Sequence, residues 1–478
     1  MSTENEKNPR REAGSVYEKR QRKEAERKKE LRKGRLYALA FCLIGVLALA
    51  LAVWNSKLIQ RNAPALKVGS ETYTAGDVSY FFWNIYSNAM TDESDTSYIR
   101  YRIDTSKSLR SQDSGYGGTW YDYFENIAVS SLSAYALRAQ QAKASGFEAA
   151  AEEDAAVAEA TAALKATAEA GGYTSAGYLK SLYRSMVTQK TLERNIRMCA
   201  LADAYTQSFR NTVTVTDEQI AQEGRDNADL YSYVDFEYAA FSTSADSADT
   251  SAASVESAKA SADMLLERYR TSGSFEAVTE DLGGYYQHVK YGRYATYYSS
   301  DPGAWLFDDA RKDGDTSVEP LADGTGYYVI LFHGKHLSDF HPVSVRHILV
   351  SDEERAKTLL QSFESGDRTE TSFAALATAN SIDSGSSADG GLYANLYLGD
   401  TVEPFENWCF DPARKPGDTG IVQTDYGYHV MYFVETNERL AWQIGAQTTL
   451  EMNAYNDWLA TFSSGVEPAK LSGMRYVG

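Results

Sequence analysis

Val345-Arg346-His347-Ile348-Leu349-Val350 and, beyond a helix and a loop, Gln423-Thr424-Asp425-Tyr426-Gly427-Tyr428-His429-Val430-Met431-Tyr432-Phe433 carry the decisive pattern of this chain. In each run one histidine is flanked by β-branched or aromatic residues, the composition of a sheet interior. Alternation along a strand turns the histidine to one face and its immediate neighbours to the other. Two imidazoles on adjacent strands in a dry place cannot both be cations, so at least one is neutral and hydrogen-bonded. Thr424, shortly before His429, and Asp383, on the loop between the strands, are candidate partners. No Ser or Cys nucleophile stands at a convincing spacing to the pair, and no Gly-rich phosphate loop occurs. Such a site works by positioning and polarity rather than by covalent chemistry.

Blander readings compete at each position. A lone histidine in an apolar strand is usually a satisfied core residue, and Asp383 also suits the turn Asp383-Ser384-Gly385. Trp408 and Phe410 read as core. His333, His336, His341 and His347 crowd one segment and raise a metal-dependent alternative. They lack cysteine or carboxylate partners at a zinc spacing, so neither a metal nor a cofactor is expected.

The pieces His347–Val350, Arg355–Phe363, Phe373-Ala374-Ala375-Leu376-Ala377, Ser381-Ile382-Asp383, Gly390-Gly391, Val402-Glu403-Pro404-Phe405 and Gly427–Val430, in this order, resemble a parvulin-type (PpiC) peptidyl-prolyl cis/trans isomerase domain. The resemblance implies a βα3βαβ2 domain over 342–437 whose cleft binds a prolyl ring. It carries the catalytic set onto His347, Asp383, His429 and Thr424. Phe405 falls on the pocket wall, with Tyr393, Thr401, Val402 and Tyr426 as further substrate-binding positions. Two departures stand out: Leu392-Tyr393-Ala394 follows the Gly-Gly pair where the family usually has Asp-Leu-Gly, and Thr401 replaces a common Met. They keep a second reading open, a catalytically idle holdase or assembly scaffold that retains the fold for peptide binding. Parvulins that read phosphoserine carry a basic cluster after the first histidine. Ser351-Asp352-Glu353-Glu354-Arg355 would repel a phosphate instead.

At 478 residues the chain should hold several domains. Its net charge of −19 is uneven: residues 1–35 carry 13 Lys/Arg against 7 Glu, leaving 34 basic against 59 acidic residues elsewhere. The acidic remainder excludes nucleic acid as a partner. The basic head reads as a cytoplasmic tail. Leu36–Trp54 then runs 19 residues without a charge, about 28 Å as a helix and long enough for the hydrocarbon core. Basic residues before it and Trp54 at its far end orient the N-terminus to the cytoplasm and the bulk of the chain outside. An uncleaved single-pass anchor in the cell membrane is expected, with a cleaved signal peptide as its competitor. Beyond the anchor stand two cysteines, Cys199 and Cys409; this is no disulfide framework, and pairing and burial as free thiols both stay open.

Leu66–Thr74 reads as strand, turn and strand. Helical patterns follow at Ala75–Met90, Trp120–Ser145, Ala149–Ala170 and Ser175–Asn211, with Thr91–Gly118 as a polar loop. Thr216 is the expected cap of the next helix. "LKVGSETYT" and "VTVTDEQI" are similar to the N-terminal segment of SurA/PrsA-like foldases. On that resemblance 65–230 is a helical chaperone region, completed by a C-terminal helix within 438–478. Residues 231–338 repeat the later domain: Trp305–Thr316 matches Trp408–Thr419, and Gly326-Tyr327-Tyr328-Val329 matches Gly427–Val430. Tyr238 and Tyr328 stand where His347 and His429 do, and no loop corresponds to that of Asp383. Ser242–Ser257 reads as a loop rich in Ser, Ala and Asp.

The fold class is therefore α+β: a single transmembrane helix over 36–54, a SurA-N-like helical region, and two tandem parvulin-like modules, the first degenerate. The expected function is a membrane-anchored extracytoplasmic isomerase and chaperone. Its partners are unfolded exported polypeptides with X-Pro bonds and, through the anchor, the lipid bilayer.

Overall fold

The computed structural model describes residues 9–91, 98–242, 252–294 and 302–478. The chain falls into two compact units, Met1–Thr212 with Tyr455–Gly478, and Val213–Ala454.

In the first unit Pro9–Asn55 is one continuous helix. The large apolar side chains described from Leu36 to Leu51, and Trp54, are exposed. Among the described residues no helix is long and apolar enough to cross a membrane. Strands β1 (Pro64–Val68) and β2 (Glu71–Thr74) form the expected hairpin, and Ala469–Lys470 adds a third strand beside β1. The helices Ala75–Thr91, Trp120–Ala144 and Gln189–Arg210 pack around fully buried Phe82, Trp120, Phe124 and Leu132. Asp77 is buried at the first helix start. It accepts hydrogen bonds from the Thr74 amide at 2.8 Å and Asn195 Nδ2 at 2.9 Å, and it pairs with Arg194. A buried carboxylate persists only when satisfied in this way. Trp458 of the C-terminal helix Ala441–Ser463 stacks on Phe209 with centroids 4.5 Å apart.

Two expectations need correcting here. Ser175–Asn211 is two helices, Ser175–Leu182 and Gln189–Arg210. Arg184 and Ser185 adopt positive φ between them, and the Thr188 side chain accepts from the Thr191 amide to cap the second helix. Capping and the burial of Met186 and Val187 outweigh continuous helical propensity. Thr91–Gly118 is not wholly loop, since it contains the helix Tyr98–Arg102 and a 3₁₀ turn at Leu109–Ser111; residues 92–97 lie outside the described set.

In the second unit Thr216 caps the helix Asp217–Asp226 through a reciprocal box with Gln219. Two four-stranded antiparallel sheets follow. The first contains β3 (Ser232–Ser242), β4 (Tyr285–Arg293), β5 (Thr316–Pro320) and β6 (Gly326–Leu337), in spatial order β4-β3-β6-β5. The second contains β7 (Val343–Val350), β8 (Leu392–Leu396), β9 (Thr419–Thr424) and β10 (Gly427–Thr436), in order β8-β7-β10-β9. The strand order is the same in both. Helices Ala252–Ser272 and Phe275–Asp281 cover the first sheet; of the loop expected over Ser242–Ser257, Ser242 ends β3, Ala252–Ser257 is helical, and residues 243–251 lie outside the described set. Helices Glu353–Glu364 and Glu370–Asn380 cover one face of the second sheet. With the 3₁₀ turn Ser387–Asp389 and the helix Glu403–Cys409, the second module runs β-α-α-3₁₀-β-α-β-β.

Alternation sorts the second sheet cleanly. Ile348, Val350, Val430 and Tyr432 pack with Phe363 and Phe373 of the covering helices. Val343, Val345, Met431 and Phe433 face the other way, against Phe405 and Cys409 of the helix Glu403–Cys409. His347 and His429 belong to this second face.

Candidate functional site

The β7–β10 register brings the histidines together. His347 pairs with Met431 and His429 with Leu349, so the two imidazoles are diagonal neighbours on one face. His347 Nδ1 lies 3.0 Å from His429 Nδ1. The far nitrogen of His347, Nε2, is 2.9 Å from Asp383 Oδ2 and 3.1 Å from Ser386 Oγ. The far nitrogen of His429, Nε2, is 2.9 Å from Thr424 Oγ1. That hydroxyl also accepts the Tyr426 amide at 3.1 Å. Ser386 donates to Asp383 Oδ2 at 2.5 Å, Tyr393 donates to the same oxygen at 3.2 Å, and the Gly385 amide donates to Oδ1 at 3.0 Å.

One proton arrangement satisfies all of these contacts with neutral rings. His347 Nε2–H donates to the Asp383 carboxylate. His347 Nδ1 is then a lone pair and accepts from His429 Nδ1–H. His429 Nε2 is then a lone pair and accepts from Thr424 Oγ1–H. The four ring nitrogens are used in a single chain running from Thr424 to Asp383.

Electrostatics agree. Burial lowers the His347 pKa below its ordinary value, against the pull of Asp383. Burial, and then the adjacent His347, pull His429 down to about 4. Burial alone would raise Asp383, but the hydrogen bonds from Ser386, Gly385 and His347 outweigh it and hold the carboxyl below the usual carboxylate range. Burial, reinforced by Asp383, pushes the Tyr393 hydroxyl up to about 12, so it stays a donor. A carboxylate beside two neutral imidazoles is the state at neutral pH.

Phe405 closes the site. It is 2 % exposed and stands nearly perpendicular to both imidazoles, with centroids 5.4 Å from His347 and 5.1 Å from His429. Tyr393 packs on His347 at 4.7 Å. Val402 and Tyr426 are exposed. Thr401 lines a cleft of about 360 Å³ with Glu403, Glu406, His288, Lys290 and Tyr291.

The loops reach the site through close backbone approaches. Gly391 sits at φ +71, and a Cβ there would meet the His347 carbonyl oxygen at 2.1 Å. His347 N–H donates to Gly391 O at 2.9 Å. Only glycine fits both demands. Arg346 pins the same turn, donating from Nη1 to the Asp389 and Gly390 carbonyls at 2.8 and 3.0 Å and pairing through Nε with Glu370 at 2.9 Å.

Ser386 and Arg346 escaped the sequence reading. Ser386 is 1 % exposed, yet in sequence it is one serine of Ser384-Gly385-Ser386-Ser387 and nothing distinguishes it from its neighbours. Arg346 looks like a solvent-facing charge between Val345 and His347. Among the described residues no cluster of three or more His, Cys, Asp or Glu could hold a metal. His333 instead bonds Glu237 at 2.9 Å, and His341 Nδ1 bonds the Asn437 carbonyl at 2.9 Å.

The first module repeats the geometry without the chemistry. Tyr238 pairs with Ile330 and Tyr328 with Ala240, the register positions of His347 and His429. The two tyrosine rings stack at 5.7 Å.

Comparison with known proteins agrees over the second module. The PPIC-type PPIase domain (Rotamase_3) matches residues 328–437. Foldase protein PrsA 1 of Listeria innocua is 36 % identical over 97 residues, 20 % of this chain and 32 % of the relative. Foldase protein PrsA of Caldanaerobacter subterraneus is 35 % identical over 101 residues, 21 % of this chain and 31 % of the relative. The parvulin of Nitrosopumilus maritimus, a solved structure, is 29 % identical with a TM-score of 0.18, covering 20 % of this chain and 97 % of its own. PrsA from Bacillus anthracis is 25 % identical with a TM-score of 0.20, covering 26 % of this chain and 54 % of its own. The chain spans about a third of the length of the curated relatives it matches. It carries a parvulin-type domain, and through that domain it is related to the PrsA foldases.

Proposed function

We propose that this chain is a membrane-anchored, extracytoplasmic peptidyl-prolyl cis/trans isomerase and chaperone, acting on incompletely folded exported polypeptides. The observation that carries the catalytic part is the closed hydrogen-bond chain Thr424–His429–His347–Asp383 beneath Phe405. Isomerisation about X-Pro breaks no σ bond; its barrier of about 18–20 kcal/mol is amide resonance. A site lowers it by favouring the twisted amide over both planar forms. Phe405, with Tyr393 and Val402, would grip the ring in an apolar wall and strip water from the carbonyl. The fixed, neutral imidazole chain would present a rigid polar floor to the rotating amide. With its ring nitrogens bound to one another, to Thr424 and to Asp383, that floor is suited to neither nucleophilic attack nor proton delivery.

The uncharged run Leu36–Trp54, behind the basic segment 1–35, supports the anchor and its orientation. The first module, with Tyr238 and Tyr328 at the histidine positions, is read as a degenerate parvulin-like module without catalysis. Residues 65–230 and 438–478 are read as the client-gathering region. The test is prolyl isomerase activity of the full chain in detergent, against His429→Ala and Asp383→Ala. Each substitution should lower kcat/KM by about tenfold or more, at about 1.4 kcal/mol per tenfold. Unchanged rates in both would refute the catalytic assignment. No activity in the unaltered chain, with aggregation of an unfolded client still suppressed, would leave a holdase.

A further inference from the structure

The first module lacks the polar residues of a parvulin site, yet it touches the second module at the segment that leads into the Phe405 helix. We propose that Arg293, the last residue of β4, is a positioning residue for that pocket. The inference rests on the isomerase reading of the His347–His429 site.

The segment 397–402 joins β8 to the short helix that carries Phe405. It contains Gly399 at φ +85 and shows no buried side chain of its own. Such a segment needs outside support to hold one conformation. Arg293 reaches it in three ways. Its Nη2 pairs with Asp400 Oδ1 at 2.5 Å and donates to the Leu398 carbonyl at 3.4 Å. Its guanidinium plane lies over the Tyr397 ring at 5.1 Å. Asp400 is thereby fixed from two sides, since its Oδ2 accepts the Tyr397 amide at 2.7 Å.

Two further contacts act at the same place. Tyr291 lies so close to Gly399 that a Cβ there would meet the tyrosine Cβ at 2.9 Å. Lys290 Nζ lies 3.4 Å from Glu403 Oε1, on the first turn of the Phe405 helix. From the second module itself, Glu406 holds the Gly399 amide at 2.5 Å. The segment is gripped between the Phe405 helix and β4. An isolated surface ion pair contributes little. Here one guanidinium combines a charge pair, a carbonyl hydrogen bond and a ring contact, a combination lysine cannot reproduce. The degenerate module thus acts as an intramolecular brace for the wall on which the prolyl ring rests.

The experiment compares the full chain with Arg293→Ala, Arg293→Lys, Asp400→Ala and the Arg293→Ala/Asp400→Ala double variant, on a proline peptide. Losing the brace should raise KM by about tenfold, the equivalent of one charge-assisted hydrogen bond, with kcat within about twofold. Lysine should fall between arginine and alanine. The double variant should be no worse than either single one, because both remove the same contact. The proton positions on His347 and His429, read by long-range imidazole spectra, should be unchanged in every variant, since the polar floor does not depend on Arg293. Unchanged KM in Arg293→Ala with an active unaltered chain would overturn this inference alone. Additive losses in the double variant, or equal losses in kcat and folded protein even for Arg293→Lys, would also overturn it. An inactive unaltered chain would overturn the isomerase reading itself.

Discussion

Acidification offers a direct test of the neutral imidazole chain. His429 moves from an ordinary 6.5 down to about 4, so at pH 6 about 1 % of it should carry a proton. Keeping the ring neutral over that range corresponds to about 3 kcal/mol, at about 1.4 kcal/mol per pH unit. The sign follows from which state binds the proton first. The unfolded chain takes it near 6.5 and the folded one only near 4, so the stability of the neutral ring is complete above pH 6.5 and drains away on acidification toward pH 4. Between pH 7 and pH 5 the His429 contribution alone amounts to about 2 kcal/mol. Urea titrations read on the Val430 and Met431 amides should show this loss in the unaltered chain, and His429→Phe should lack it. Long-range imidazole spectra at pH 6 should show the proton of His429 on Nδ1 and that of His347 on Nε2. A His429 titration near 6.5, or a proton on His429 Nε2 at pH 6, would refute the chain of bonds from Thr424 to Asp383.

Other outcomes follow from packing. Gly391→Ala places a Cβ at 2.1 Å from the His347 carbonyl oxygen at positive φ, and should lower the melting temperature of the second module with a cost above about 2 kcal/mol. Cys199 and Cys409 are free thiols, and burial pushes both up to about 12. A thiol reagent should therefore label them slowly in the folded chain and fully in urea, with intact mass showing no disulfide.

Much of this molecule was legible in one dimension. The β-branched and aromatic residues around His347 and His429 need a sheet interior, and period-two alternation then puts both rings on the same side as Val345, Met431 and Phe433. The duplicated Trp305–Thr316 and Trp408–Thr419 segments announced a second copy, and the shared register positions of Tyr238 and His347 follow from that repeat. Thr216 declared itself a helix cap because a hydroxyl before Asp-Glu-Gln meets a local need, solved within four residues.

What the sequence left open depends on contacts between residues far apart in the chain. Ser386 became a member of the site only when the 3₁₀ turn folded it against His347. The break at Arg184 and Ser185 was decided by burying Met186 and Val187, against a helical periodicity that favoured continuity. Thr401 also lines a cleft with His288, Lys290 and Tyr291 of β4, neighbours more than a hundred residues away that its own segment does not announce. Arg293 had no local signature at all. Sequence spacing reports which face of its own element a residue occupies; the partner across that face is chosen by packing, and here packing set Arg293 of one module against Asp400 of the other.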